Sequence, residues 1–209
     1  LVLVKTMPEN LLIRPATETD PERISAAFAA QGWDKPAAQY RRYLQEQSDG
    51  LRAVFVAEYA GEFAGYITLV WLSDYPAFRQ RNIPEIADLN VLKRYQRRRI
   101  ASALLDAAEK RAAERSLVVG LGVGLTGDYG PAQRLYVRRG YVPDASGAWS
   151  RGKALKRGDQ LQVDDDLVLY LTRPLAPESP ARDQAFEAAA SDPQFQKKLK
   201  EMQEILENL

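Results

Sequence analysis

The chain has 209 residues, 45% of them hydrophobic and 27% charged, with a formal net charge of +1. That is the composition of one globular domain with an appendage, and its charge balance asks for neither a nucleic acid nor a membrane. It contains no Cys and no His, which excludes disulfides, thiolate nucleophiles, Cys- or His-held metals and Ser-His-Asp triads, and leaves Glu, Asp, Tyr, Lys and water to move protons.

No apolar run approaches a membrane span, and the opening Leu1-Val2-Leu3-Val4-Lys5 is too short for a signal-peptide core. The expectation is a soluble, cytoplasmic protein. Residues 11–14 form a short apolar run that Pro15 closes. Thr19-Asp20-Pro21 then offers a capped helix start with proline at its first position, and Ile24, Ala27 and Phe28 share one face of the helix that follows. Gly32-Trp33-Asp34-Lys35-Pro36 breaks it, and residues 36–47 resume as a second helix carrying Tyr40, Tyr43 and Leu44. Residues 52–59 and 62–72 are enriched in Val, Phe, Ile and Tyr and separated by Ala60-Gly61, which predicts a hairpin. Residues 73–84, polar and with two prolines, read as a loop.

The next stretch organises the chain. Residues 86–92 have the length and branching of one strand, and Ile100, Leu104, Leu105 and Ala108 recur at the spacing of one helix face. Between them stand Lys93, Arg94, Arg97, Arg98 and Arg99. A helix opening directly after a strand aims its unpaired N–H groups and positive dipole end into the turn, so the turn is a candidate phosphate cradle. A solvated basic turn is the plainer alternative. Farther on, Gly120, Gly122 and Gly124 alternate with Leu121, Val123 and Leu125, leaving one strand face bare for a ligand or for tight packing. Pro131 and Gly140 bracket a short helix.

Residues 149–156 and 166–171 read as the last two strands, with Leu161-Gln162-Val163 as an optional pairing between them. Asp164-Asp165-Asp166 is a solvated turn or an attraction for a cationic acceptor. Pro174, Pro177 and Pro180 mark a linker. After Ser191-Asp192-Pro193 an amphipathic stripe of Phe195, Leu199, Met202, Leu206 and Leu209 suits docking on the domain or on a second subunit, as in a homodimer.

Two segments resemble the GNAT superfamily of acyl-CoA N-acyltransferases. Gln96-Arg97-Arg98-Arg99-Ile100-Ala101 is similar to that family's cofactor signature Gln/Arg-x-x-Gly-x-Gly/Ala, with Arg99 where glycine is usual. Arg99 is therefore expected to take an ordinary helical dihedral or to widen the turn, and its own guanidinium can pair with phosphate. Residues 129–141 are similar to the family's Asn-x-x-Ala-x-x-Leu-Tyr-x-x-x-Gly-Phe, with Tyr129 for Asn and Tyr141 for Phe.

The resemblance covers residues 11–174. It implies an α/β GNAT fold with a mixed central sheet whose middle strands splay apart, flanked by helices, in residues 1–176; residues 177–209 add the linker and a C-terminal helical tail. It further implies an N-acetyltransferase that moves an acetyl group from acetyl-CoA directly to a small-molecule or protein amine, with no metal. Backbone groups of Leu89 and Val91 would meet the pantetheine amides, and residues Gln96, Arg97, Arg98, Arg99, Ile100, Ala101 and Ser102 the pyrophosphate. Glu85 would be the base and Tyr136 the acid, with Asp88, on the opposite strand face by alternation, as a structural residue or alternate base. Trp33, Tyr40, Tyr75 and Phe78 are candidate aromatic walls. A non-catalytic acyl-CoA-binding or regulatory protein is the first rival, and an arginine cluster for RNA or DNA the second; near-neutral net charge counts against the latter.

Overall fold

The computed structural model describes residues 10–175. The expected tail of residues 177–209 lies outside the described residues. Eight strands form one sheet: β1 (Leu11–Pro15), β2 (Arg52–Tyr59), β3 (Glu62–Val70), β4 (Glu85–Val91), β5 (Val118–Gly124), β6 (Val142–Ser150), β7 (Lys153–Ala154) and β8 (Leu167–Pro174). Their order is β1-β2-β3-β4-β5-β8-β6-β7, and every neighbour pair is antiparallel except β4 with β5. The helices are α1 (Asp20–Ala29), α2 (Ala37–Ser48), α3 (Pro76–Gln80), α4 (Ile100–Ala113) and α5 (Gly130–Arg138). This is the mixed α/β sheet expected.

Strand alternation divides the core between the two faces of the sheet. On one, Ala53 and Ala57 of β2 and Ile67 and Leu69 of β3 pack with Ile100, Leu104, Leu105 and Ala108 of α4 and with Tyr136 and Tyr141. On the other, Val54, Val56, Phe63 and Tyr66 pack with Ile24 and Phe28 of α1 and Tyr40 and Tyr43 of α2. The hairpin turn falls at Ala60 (φ 51°) and Gly61 (φ 82°), both left-handed, as a tight two-residue turn between twisted strands requires.

Three segments differ from the sequence expectation. The stretch 73–84 holds α3, whose five residues are too few to show a helical period. The strand expected over 149–156 starts earlier, at Val142, and stops at Ser150, where Arg151 (φ 50°) and Gly152 (φ 74°) turn the chain into the two-residue β7. Residues 161–163 form no strand; Leu161 and Val163 are exposed, so no buried face holds them in an extended pairing.

Candidate active site

β4 starts beside β5 and then leaves it. Among the described residues, their pairing is confined to Glu85 with Gly120 and Ile86 with Leu121. β5 runs on to Gly124 against β8, while β4 runs on to Val91 against β3. Leu92 donates its N–H to the Ala64 carbonyl at 2.9 Å, so alternation directs the backbone groups of Leu89 and Val91 away from β3 and into the opening.

β4 is also bulged. Tyr66 faces Asn90 and Thr68 faces Ala87, so Asp88 and Leu89 together oppose Ile67, and Asp88 takes φ 57°. The extra residue overturns the simple alternation that would set Asp88 on the face opposite Glu85. Both carboxylates line one cleft of about 490 Å³, with Tyr43, Arg52, Tyr75 and Tyr170 among its walls.

At the other end of β4 comes the basic turn. Lys93, Arg94, Arg97, Arg98 and Arg99 are all exposed. Arg98 lies 4.9 Å over the Tyr59 ring and Lys93 5.3 Å over Trp33, so their stems are held while their charges face water. Arg99 precedes α4 at φ 61° and ψ 12°. It therefore adopts the left-handed dihedral that a glycine would take, contrary to the expectation of a helical dihedral or wider turn. Leu92 and Ile100 are both buried, which fixes the strand end and the helix start and forces the short link to turn sharply at a cost of about 1–2 kcal/mol. No side chain caps α4. The carbonyl of Arg99 accepts first from Ala103, at 3.1 Å, so the amides of Ile100, Ala101 and Ser102 remain as donors at the positive end of the helix.

In the cleft, Glu85 accepts a hydrogen bond on Oε2 from the Ser73 hydroxyl at 2.6 Å, and burial raises its pKa above the ordinary carboxylate value. Asp88 has a different environment. It accepts from the Tyr43 hydroxyl at 2.6 Å and from Gln39 at 3.1 Å, which ties α2 to the bulge. Tyr75 stacks on Tyr170 with ring centroids 3.6 Å apart and donates to Asp144 at 2.6 Å.

Of the aromatic residues expected as walls, Tyr75 lines this cleft. Phe78 packs edge-on against Tyr75, Tyr40 is buried against Tyr66, and Trp33 stacks on Phe28 as a packing anchor. The bare face of β5 is filled as well. A Cβ on Gly120 would clash with the Phe78 ring, one on Gly124 with the Tyr129 ring, and one on Gly122 would lie 3.2 Å from Tyr170. Tight packing is thus the account of these glycines.

Tyr136 sits on α5, whose end is a Schellman motif: Gly140 (φ 86°) donates to Val137 and Tyr141 donates to Tyr136, at 3.0 and 3.1 Å. The same turn sets the Tyr136 and Tyr141 rings 5.8 Å apart. Tyr136 is buried, and desolvation pushes its phenol up to about 12. Beneath it Glu109 of α4 accepts from Arg139 at 3.0 Å, from the Tyr141 hydroxyl at 3.0 Å, and from Arg173 of β8.

A family model described as the acetyltransferase (GNAT) family matches residues 19–141, from the start of α1 through the α5 motif. The chain belongs to the GNAT acetyltransferase family. Solved GNAT-fold structures agree with this at the level of fold. A ribosomal-protein-alanine N-acetyltransferase of Brucella melitensis is 21% identical over 78% of this chain and 99% of its own, with a TM-score of 0.59. The yncA protein of Salmonella typhimurium, solved with its cofactor acetyl-CoA, is 19% identical over 81% and 99%, with a TM-score of 0.59. Ard1 of Thermoplasma volcanium is 21% identical over 80% and 99%, with a TM-score of 0.59. A search of curated proteins finds no match.

Within this GNAT domain the sequence pointed to Glu85, the basic turn and Tyr136. It did not point to Ser73, Tyr43, Arg52 or Tyr170, which reach the cleft from the β3–α3 loop, α2, β2 and β8. Arg52 and Ser73 carry a positional signal, at the start of β2 and just past the end of β3, whereas Tyr43 and Tyr170 lie mid-element and are brought in by the tertiary fold alone.

Proposed function

We propose that this GNAT domain transfers an acetyl group from acetyl-CoA directly to an amine, with Glu85 as proton acceptor and Tyr136 as proton donor. The observation that carries the reading is the departure of β4 from β5 beyond Ile86, with an uncapped, arginine-rich helix start beyond one end of β4 and a carboxylate-bearing cleft at the other. The residues present fit the cofactor's chemistry. Donor amides and exposed guanidiniums from Gln96 to Ser102 suit a pyrophosphate, and the unpaired backbone groups of Leu89 and Val91 suit an extended amide chain.

Acetyl-CoA, when bound, supplies the activated acyl carbon. Glu85 takes a proton from the acceptor ammonium, and its raised pKa makes it a stronger base than an exposed glutamate. The freed nitrogen lone pair forms the amide bond as the carbon–sulfur bond breaks, and the nitrogen then gives up its second proton to solvent. Tyr136, held protonated at neutral pH by its pKa of about 12, donates its proton to the departing sulfur and is reprotonated from solvent. Asp88 is a structural residue in this reading, because its carboxylate is committed to Tyr43 and Gln39.

The test is calorimetric titration with acetyl-CoA, followed by thiol release with a panel of amines. Wild type, Glu85→Gln and Tyr136→Phe should all bind acetyl-CoA at micromolar levels, and Glu85→Gln should lose about 100-fold or more in kcat. Failure of wild type to bind would favour a non-catalytic role. Full kcat in Glu85→Gln would remove that residue as the base.

A further inference from the structure

Resting on the acetyl-transfer reading of the cleft, we propose that its acceptor is an amine that brings no carboxylate into the cleft with it: an alkylamine, or the amino end of a peptide, rather than a free amino acid. Arg52 decides what the cleft can hold. Among the described residues it is the only cation lining the cleft, against the carboxylates of Asp74, Glu85 and Asp88. An acceptor carboxylate entering there needs a donor fork, and a free guanidinium would supply one.

The Arg52 guanidinium is already spent in three directions. Its Nε pairs with Glu46 at 2.5 Å, its Nη1 donates to the Thr68 hydroxyl at 2.9 Å, and its plane lies 4.1 Å over the Tyr43 ring. Its side chain is 13% exposed, so it has little freedom to swing toward a ligand. Glu46 does not itself line the cleft; it neutralises Arg52 from α2, and since Lys35 at 3.9 Å and Arg79 at 2.5 Å meet Asp88 and Asp74 from outside the lining, the charge left facing a ligand is that of Glu85. An ammonium is attracted to that field, whereas a carboxylate carried with it is repelled at short range and loses its hydration without a counter-charge. Tyr43, Tyr75 and Tyr170 supply apolar and π surface for an uncharged body attached to the amine.

The experiment compares pentylamine, 5-aminopentanoate and alanyl-alaninamide as acceptors with the full chain and saturating acetyl-CoA. The first two present amino groups of nearly equal basicity and differ by the carboxylate alone. The expected result is a kcat/KM for pentylamine at least about tenfold above that for 5-aminopentanoate. The dipeptide amide separates the two sources of such an amine, a peptide terminus if it exceeds pentylamine and a small alkylamine if it does not. In Glu46→Gln, Arg52 is released, and the 5-aminopentanoate value should rise toward that of pentylamine, which does not rise. Equal or better use of 5-aminopentanoate by wild type overturns the inference and leaves the acetyl-transfer reading standing. If no amine of this set or of the wider panel is acetylated, the acetyl-transfer reading falls and takes the inference with it.

Discussion

Ser73 is fully buried, and its hydroxyl oxygen already accepts the Tyr75 N–H at 2.9 Å. Its proton therefore points to Glu85, at 2.6 Å, which occupies Oε2 and leaves Oε1 for an incoming ammonium. That bond favours the ionised carboxylate and opposes the burial that raises its pKa, as does the Arg52 charge, whereas Asp74 adds to the rise. Removing the hydroxyl in Ser73→Ala should raise the Glu85 pKa further. The base must be ionised to act, so the acid limb of the kcat/KM profile should move to higher pH, while KM for acetyl-CoA stays put. A limb that does not move would show Ser73 to be packing only. Arg99 gives a second prediction at this scale. Its left-handed dihedral is costly for any residue with a Cβ, so Arg99→Gly should stabilise the fold by about 1 kcal/mol, read as a higher denaturation midpoint in urea. The strand itself is legible in hydrophobic pattern, whereas Glu85, one residue before the run of 86–92, is singled out only by the family resemblance. Alternation misplaces Asp88 because a bulge is one unmarked residue, and every side chain on one side of it changes face.

At the scale of elements, α5 is held by its terminus. Gly140 and Tyr141 satisfy its last carbonyls, and Arg139, just past its end, reaches Glu109 of α4, where Arg173 of β8 and the Tyr141 hydroxyl also converge. Glu109 is 7% exposed, so truncating it removes the shared acceptor of Arg139, Arg173 and Tyr141 at once, leaving the buried Arg139 with Asp106 alone. Glu109→Ala should cost about 3–5 kcal/mol, measured by chemical denaturation, and a loss below about 1 kcal/mol would show that water replaces the carboxylate freely. The spacing of Leu135, Tyr136, Gly140 and Tyr141 that resembled the family motif thus has a physical meaning: it is the spacing of a helix end that brings two aromatic rings together. Long periodic elements were legible for the same kind of reason. β2 and β3 are runs enriched in Val, Phe, Ile and Tyr because both their faces are covered, α4 repeats on one face, and the Ala60-Gly61 turn is marked by glycine. α3 and β6 were not, because the first is barely one turn and the second is interrupted at Ala145 (φ 71°) and Gly147 (φ 77°).

For the molecule as a whole, the arrangement concentrates positive charge where the sheet opens while the net charge stays at +1. A ligand that joins the basic turn to the gap between β4 and β5 would bridge elements that do not hydrogen-bond to each other beyond Ile86, and so should stabilise the folded state by mass action. At about 100 times its Kd a ligand that binds only the native state adds about 2.7 kcal/mol, which in a domain of this size is a rise of roughly 5–10 °C in Tm. Acetyl-CoA should produce such a shift. Its few phosphate charges should make the shift fall only modestly when salt rises from about 50 to about 200 mM, whereas a nucleic acid held by the same arginines through 6–10 phosphate contacts would lose about 10³–10⁵ in affinity over that range. A shift with acetyl-CoA that persists in salt assigns the arginines to the cofactor, because only a ligand that also uses the uncharged backbone of the gap retains its affinity when phosphate contacts are screened. A shift with single-stranded RNA alone, abolished by salt, would reverse that assignment and with it the reading of α4 as a cofactor cradle.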